Sequence, residues 1–224
     1  ALDGLLSVAE DDNEAMRRSV AASLGRFGNT KPIDALIELL GDQSDLVRRA
    51  AVFSLIEILS NVDSAESDEL RQTVVDRMSA TGDPSVVASL CEIVEEGSQL
   101  HQRRNAVWML GRVAGDQSAG RAIDTLIDVL GAEDQLVQQF AATSLAAIDG
   151  RKVETRLLDL LDTPASEAAI GKAAFTLGKV GGERARQRLE RLVEETESES
   201  VRQQAFSALS KLERTDQSAA EFDF

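Results

Sequence analysis

Hydrophobic residues recur every three or four positions through most of the chain, in short blocks broken by Gly, Asp and Ser. The clearest block is residues 31–59, KPIDALIELLGDQSDLVRRAAVFSLIEIL. Ile33, Leu36, Ile37 and Leu40 fall on one face of a helix, and Val47, Ala51, Leu55 and Ile58 on one face of a second. Pro32 suits the first helical position, where its missing N–H costs nothing. Gly41 is expected to end the first helix in a left-handed cap. Asp42 and Ser44 can accept from the free N–H groups that start the second. Two helices this short cannot bury both apolar faces alone, so the block predicts neighbours of its own kind.

Those neighbours are present. Taking the Leu in the middle of each helix as an anchor, the first helices give Leu5, Leu36, Leu90, Leu126, Leu157 and Leu189. The second helices give Leu24, Leu55, Leu110, Leu145, Leu177 and Leu209. Paired anchors lie 19 or 20 residues apart in every unit, and successive second anchors step by 31, 55, 35, 32 and 32. A period of this length signals a repeat array, and the long step leaves room for one more helix. The units run about 1–28, 30–60, 84–115, 117–149, 150–181 and 182–212. The inserted helix is expected at about 68–80, with Ser67 or Asp68 as its cap. Residues 213–224 are read as a flexible acidic tail, whose AAEFDF end could serve as a short docking motif. The chain begins at Ala1, without Met, directly in helical pattern, and is read as a piece of a longer protein.

The segment LVRRAAVFSL (46–55) and the endings LGRFG (24–28) and LGRVAG (110–115) resemble short HEAT-type repeats, the variety also found in phycobilisome lyases. The resemblance covers nearly the whole chain. It implies an all-α fold, a right-handed α-solenoid of about six HEAT-like helix pairs with one extra inserted helix. It also implies a concave surface lined by the second helices. Unit three departs from the pattern in its preceding extra helix, and units four and five have Gln138–Gln139 and Gly171–Lys172 in place of the Arg pair.

Composition agrees with helices. Hydrophobic residues make up 43% of the chain and aromatics 4%, there is no Tyr and only three Pro, a profile that disfavours sheet. The net charge is −15, from 39 acidic and 24 basic residues, and only five of the basic residues are Lys. That balance is the profile of a halophile's protein, whose charges are screened by high salt. An acidic cytoplasmic protein of an ordinary organism fits as well. Either way the field repels phosphate backbones, which disfavours nucleic acid as a partner. No run is long and apolar enough to span a membrane, and no membrane association is expected.

Convergent catalytic chemistry is not apparent. His101 is the sole histidine, so a His triad or a His-rich metal site cannot form. Some HEAT-repeat hydroxylases hold iron through His-Glu pairs; here His101 precedes Gln102. The glycines of GKAAFTLGKVGG follow no strand and make no phosphate loop. The acidic runs at 10–14, 63–69 and 194–199 read as helix-start charges and solvated surface. No cofactor and no metal are expected, and Cys91 reads as a small core residue.

One stripe stands out. Positions six and two before each second-helix anchor, and two after it, share a face. They hold Arg18, Arg49, Arg104, Phe53, Trp108, Phe175, Arg26, Arg112, Lys179 and Lys211 against a single acidic residue, Glu57. In so acidic a chain this is a local reversal of sign. Arg18, Arg49, Phe53, Arg104, Trp108, Arg112, Phe175 and Lys179 are the candidate partner-binding residues, suited to an acidic or mixed protein segment. A structural alternative has the Arg pairs bond corner residues such as Asp12, Asp42 and Asp45, with the aromatics packed between repeats. The expected function is a non-catalytic, cytoplasmic protein–protein scaffold or adaptor. A lyase-like enzyme or its accessory chaperone, and a nucleic-acid-binding module, are the rivals.

Overall fold

A computed structural model describes residues 4, 5, 7–9, 11–27, 30–62 and 64–221. The regular elements among these residues are all helices, with no strand among them. The helices are α1 (Glu14–Leu24), α2 (Ile33–Leu39), α3 (Asp45–Asn61), α4 (Ser64–Thr81), α5 (Pro84–Glu96) and α6 (Leu100–Val113). There follow α7 (Ala119–Asp128), α8 (Gln135–Leu145), α9 (Gly150–Leu161), α10 (Glu167–Val180), α11 (Glu183–Glu195) and α12 (Glu199–Glu221).

Their ends follow local chemistry. Side chains of Asn13, Asp83, Asp134, Asp149 and Ser166 accept from first-turn N–H groups of α1, α5, α8, α9 and α10. Each satisfies a donor that has no partner inside its helix.

Four details differ from the sequence reading. Gly41 is not left-handed: Leu40, Gly41 and Asp42 donate to the carbonyls three residues back, so α2 closes by tightening its last turn. The one positive φ among the described residues is +59° at Gly82, between α4 and α5. Ser44 makes no side-chain cap; the Asp42 carboxylate accepts from the Ser44 N–H at 2.8 Å instead. The inserted helix starts at Ser64, about a turn early, and α12 runs to Glu221 through the segment expected as a tail. Nothing between Glu199 and Glu221 breaks the helix, there being neither Gly nor Pro. Residues 222–224, with both Phe of the supposed docking motif, lie outside the described residues.

The chain forms two compact units, residues 1–122 and 123–224. In the first, α3 packs against α1, α2, α5 and α6, while α4 lies against α6. Leu24, Leu36, Leu55, Leu90 and Leu110, five of the anchors, are fully buried there, as is Cys91. In the second, α10 packs between α8 and α12, with α9 and α11 alongside. Leu126, Leu145, Leu157, Leu177 and Leu189 are buried. Leu209 is half-exposed, and Ala205, Ala208 and Leu212 fill the core around it.

Successive second helices touch through a small-residue seam. A Cβ on Gly25, just after its anchor, would stand 2.7 Å from Ser54 Oγ and 2.9 Å from Ser54 Cα. Ser54 precedes the next anchor, and its buried hydroxyl donates to the Ala21 carbonyl at 2.8 Å. The second unit repeats the seam. A Cβ on Gly178 would lie 2.7 Å from Ala208 Cα, and Thr176 donates to Ala142 O at 3.4 Å. A side chain at either glycine would push two helix backbones apart.

Candidate partner-binding face

The two arginines of each pair point in different directions, because adjacent helical residues are rotated by about 100°. The first of each pair goes to the corner. Arg17 forks onto Asp42, with Nε–Oδ2 at 2.7 Å and Nη2–Oδ1 at 3.0 Å, and Nη1 donates to the carbonyls of Asp11 and Asp12. Both side chains are over 90% buried. The hydrogen bonds from Arg17 hold the Asp42 carboxyl below its ordinary value, and Asp42 raises Arg17 in return. Arg48 reaches Asp45, the Asp42 carbonyl, Ser85 Oγ at 3.0 Å and Asp83 at 2.8 Å. Burial alone would raise Asp83, but hydrogen bonds from Ser85 and the charge of Arg48 bring it down. Arg103 donates to Val94 O at 3.0 Å, and Arg202 to Thr196 O at 2.5 Å. In the fourth repeat Gln138 does the same work, donating to Ala132 O at 2.6 Å. These residues tie five of the corners to their second helices. The Asp42 and Asp45 side chains accept as the structural alternative had it, while Asp12 offers only its carbonyl. The other contacts satisfy carbonyls left over at helix ends, and the fifth repeat has Ile170 in this place.

The second arginine of each pair lies on the stripe. In the first unit Arg18 is exposed and makes no contact with another charged group among the described residues. Arg49 is also exposed, pairs with Glu92 at 2.7 Å and approaches the Phe53 ring at 5.8 Å. Phe53 is 37% exposed. Arg104 and Trp108 are half-buried, and Arg112 is exposed with its guanidinium 4.0 Å from the indole centroid. Partial burial draws Arg112 below its ordinary value, since leaving water disfavours the charged form. Glu57, the acidic exception, is held by the amide of Gln102, and Asn105 donates to Ser60 at 2.9 Å. Those two bonds fix α3 and α6 side by side within the stripe.

In the second unit the half-buried Phe175 ring lies near two ammonium groups, Lys179 at 4.8 Å and Lys211 at 4.3 Å. Gly171 is buried beneath the Gln204 side chain, so this unit has no cation at the position of Arg49. The face therefore consists of aromatic rings each beside a cation, able to meet carboxylates and apolar side chains together.

Sequence reading missed a row of exposed apolar residues in the first turns of second helices. Met16, Leu46 and Leu100 are 40–46% exposed in the first unit, as is Leu136 in the second. Their shared place, eight to ten residues before the anchor, was the available signal. His101 is exposed, and no group of three or more metal-binding side chains stands together among the described residues. No helix there is long and apolar enough to cross a membrane.

Comparison with known proteins follows from this arrangement. A HEAT repeats family model matches residues 1–56 and 101–170. A HEAT repeat-containing taxis protein of Halobacterium salinarum is 66% identical over 159 residues, covering 70% of this chain. The chain spans 39% of that relative's length. Among solved structures, a computationally designed armadillo repeat protein for modular peptide recognition has a TM-score of 0.49 at 18% identity, covering 95% of this chain and 100% of its own. Human deoxyhypusine hydroxylase has a TM-score of 0.46 at 19% identity, covering 95% and 84%. With its paired helices, its regular anchors and more than half its length matched, the chain is an all-α solenoid that belongs to the HEAT repeat family.

Proposed function

We propose that the chain is a non-catalytic scaffold that holds another protein against the stripe on its second helices. The supporting observation is Trp108 with Arg112: a half-exposed indole carrying a guanidinium in an otherwise acidic chain. Arg18, Arg49, Phe53 and Arg104 extend that patch within the first unit, and Phe175 with Lys179 forms a second patch in the other. Such rings and arginines are the residues that anchor interfaces. An acidic segment with apolar side chains is the complementary partner. Nucleic acid is the weaker fit, because Arg49 is already paired with Glu92 and the second unit lacks the corresponding cations.

The relative is named a taxis protein of Halobacterium salinarum, and we take taxis, in the cytoplasm of a salt-adapted cell, as the setting of this chain too. The surplus of acidic residues and the scarcity of Lys fit that setting. We take the repeats to be of the short, lyase-type variety on their LGRFG and LGRVAG endings, without assigning them lyase chemistry.

Affinity capture from a high-salt extract, comparing the native chain with Phe53→Ala/Trp108→Ala, tests the reading. The proteins held by the native chain should fall by roughly tenfold or more in the variant, while its melting temperature changes little. Equal capture by both would remove the stripe from the interface.

A further inference from the structure

The second unit contains a small polar cavity of about 180 Å³ between the end of α9 and one side of α11, away from the stripe. Leu158, Asp162, Arg184, Gln187, Arg188 and Arg191 line it. Arg184, Arg188 and Arg191 are four and three residues apart, so their side chains share one side of α11. A chain with 39 carboxylates should pair its arginines readily. Arg184 and Arg191 nonetheless make no hydrogen bond or ion pair among the described residues.

Arg188 is the fixed part of the cavity. It is 9% exposed. Its Nε donates to Asp162 Oδ1 at 2.9 Å and its Nη2 to the Leu161 carbonyl at 2.7 Å. Those bonds set the guanidinium plane. Nη1 is buried and makes no hydrogen bond; its one carboxylate neighbour is the exposed Glu195, at 3.5 Å. A buried N–H without an acceptor is costly and calls for a ligand. The Gln187 amide donates to Glu183 at 2.9 Å, and Glu154 caps the start of α11 through the Gly182 and Ala185 N–H groups. Within the lining, three guanidiniums thus face one carboxylate, which is itself already bonded.

We propose that this cavity binds a phosphoryl-type dianion. Arg188 Nη1 supplies the preorganised donor, and Arg184 and Arg191 close on the remaining oxygens. The lining arginines exceed its one carboxylate by two charges, and Glu195, outside the lining, offsets one of them at 3.5 Å from Nη1. A dianion displaces that exposed carboxylate, and guanidiniums bind such oxygens through paired, charge-assisted hydrogen bonds. The space equals several waters at about 30 Å³ each, room for one tetrahedral oxyanion. The chain's negative field does not forbid this. It is screened beyond about 8 Å at physiological salt and about 3 Å at 1 M, whereas contact bonds inside a cavity are screened far less. The dianion's source is either free phosphate or a phosphoryl group carried on a partner's side chain.

NMR titration of the full chain with inorganic phosphate, at constant ionic strength in chloride, tests the proposal, with phosphoserine as a second arm. Saturable shifts should appear at the amides of residues 184–191. Arg184→Gln/Arg191→Gln should weaken them roughly tenfold with an unchanged melting temperature. A tighter response to phosphoserine would assign the site to a carried phosphoryl group, and an equal or weaker one to the free ion; both uphold the site. No saturable response, or the same response in the double variant, overturns it. Phe53→Ala/Trp108→Ala should titrate like the native chain, so failure of the stripe and failure of the cavity are distinguishable.

Discussion

Arg112 lies over the Trp108 indole at 4.0 Å, and the same guanidinium donates to the Trp108 carbonyl at 2.9 Å. The second bond joins residues four apart on one helix, so the stack is built into α6 and needs no partner to form. Removing the cation by Arg112→Ala should redden the emission of this sole tryptophan and increase its quenching by acrylamide. The cost in stability should be small, about 0.5–1 kcal/mol. Unchanged emission and quenching would show that the guanidinium does not cover the ring.

The seam of small residues makes a sharper prediction. Gly25→Ala and Gly178→Ala each set a methyl within 3 Å of a neighbouring helix backbone. Each should cost about 1–3 kcal/mol in denaturant unfolding. Gly120→Ala, in open space, should be neutral or stabilise by up to about 1 kcal/mol.

Gly82 and Gly41 should part company. Only Gly82 has the left-handed φ of +59°, so Gly82→Ala should destabilise by about 1–2 kcal/mol. Gly41→Ala meets its nearest atom, Glu38 O, at 3.4 Å and should change stability by less than about 0.5 kcal/mol. Equal losses at both sites would restore the cap read from the sequence.

Asp42 gives the pH dependence. Its folded-state value is depressed, chiefly by hydrogen bonds from Arg17. The stability it contributes is therefore present above its unfolded value, near pH 4, and is lost as pH falls through the lower folded value. Asp42→Asn should lower the melting temperature by roughly 5–10 °C near neutrality. The gap between the two proteins should narrow below about pH 4. A gap that stays constant down to pH 2 would mean the carboxylate's charge contributes nothing.

Much of this was legible from the residues alone. Leu36, Leu55 and Leu110 declare their helices because burial imposes the 3.6-residue period directly on the sequence. The pairing of Trp108 with Arg112, and of Phe175 with Lys179, is visible as a spacing of four. What was hidden depends on rotation and on distant neighbours. Arg17 and Arg18 look alike in a string, yet about 100° of helix turn sends one to Asp42 and leaves the other on the face. Lys211 reaches Phe175 from another helix, which no spacing reveals. The cavity beside Arg188 left no trace either: ERARQRLERLVEE reads as one more repeat helix anchored at Leu189 until Asp162 is brought alongside.

The Gly25–Ser54 contact also limits how such an array can be rearranged. Ser54 fits against the glycine because its side chain is short and its hydroxyl finds the Ala21 carbonyl. The equivalent place in the third repeat holds Met109, whose thioether would be driven into the same gap. Shuffling repeats, or deleting one, would therefore mismatch the junction even if every hydrophobic period were kept. The order of the hairpins is written into their joints.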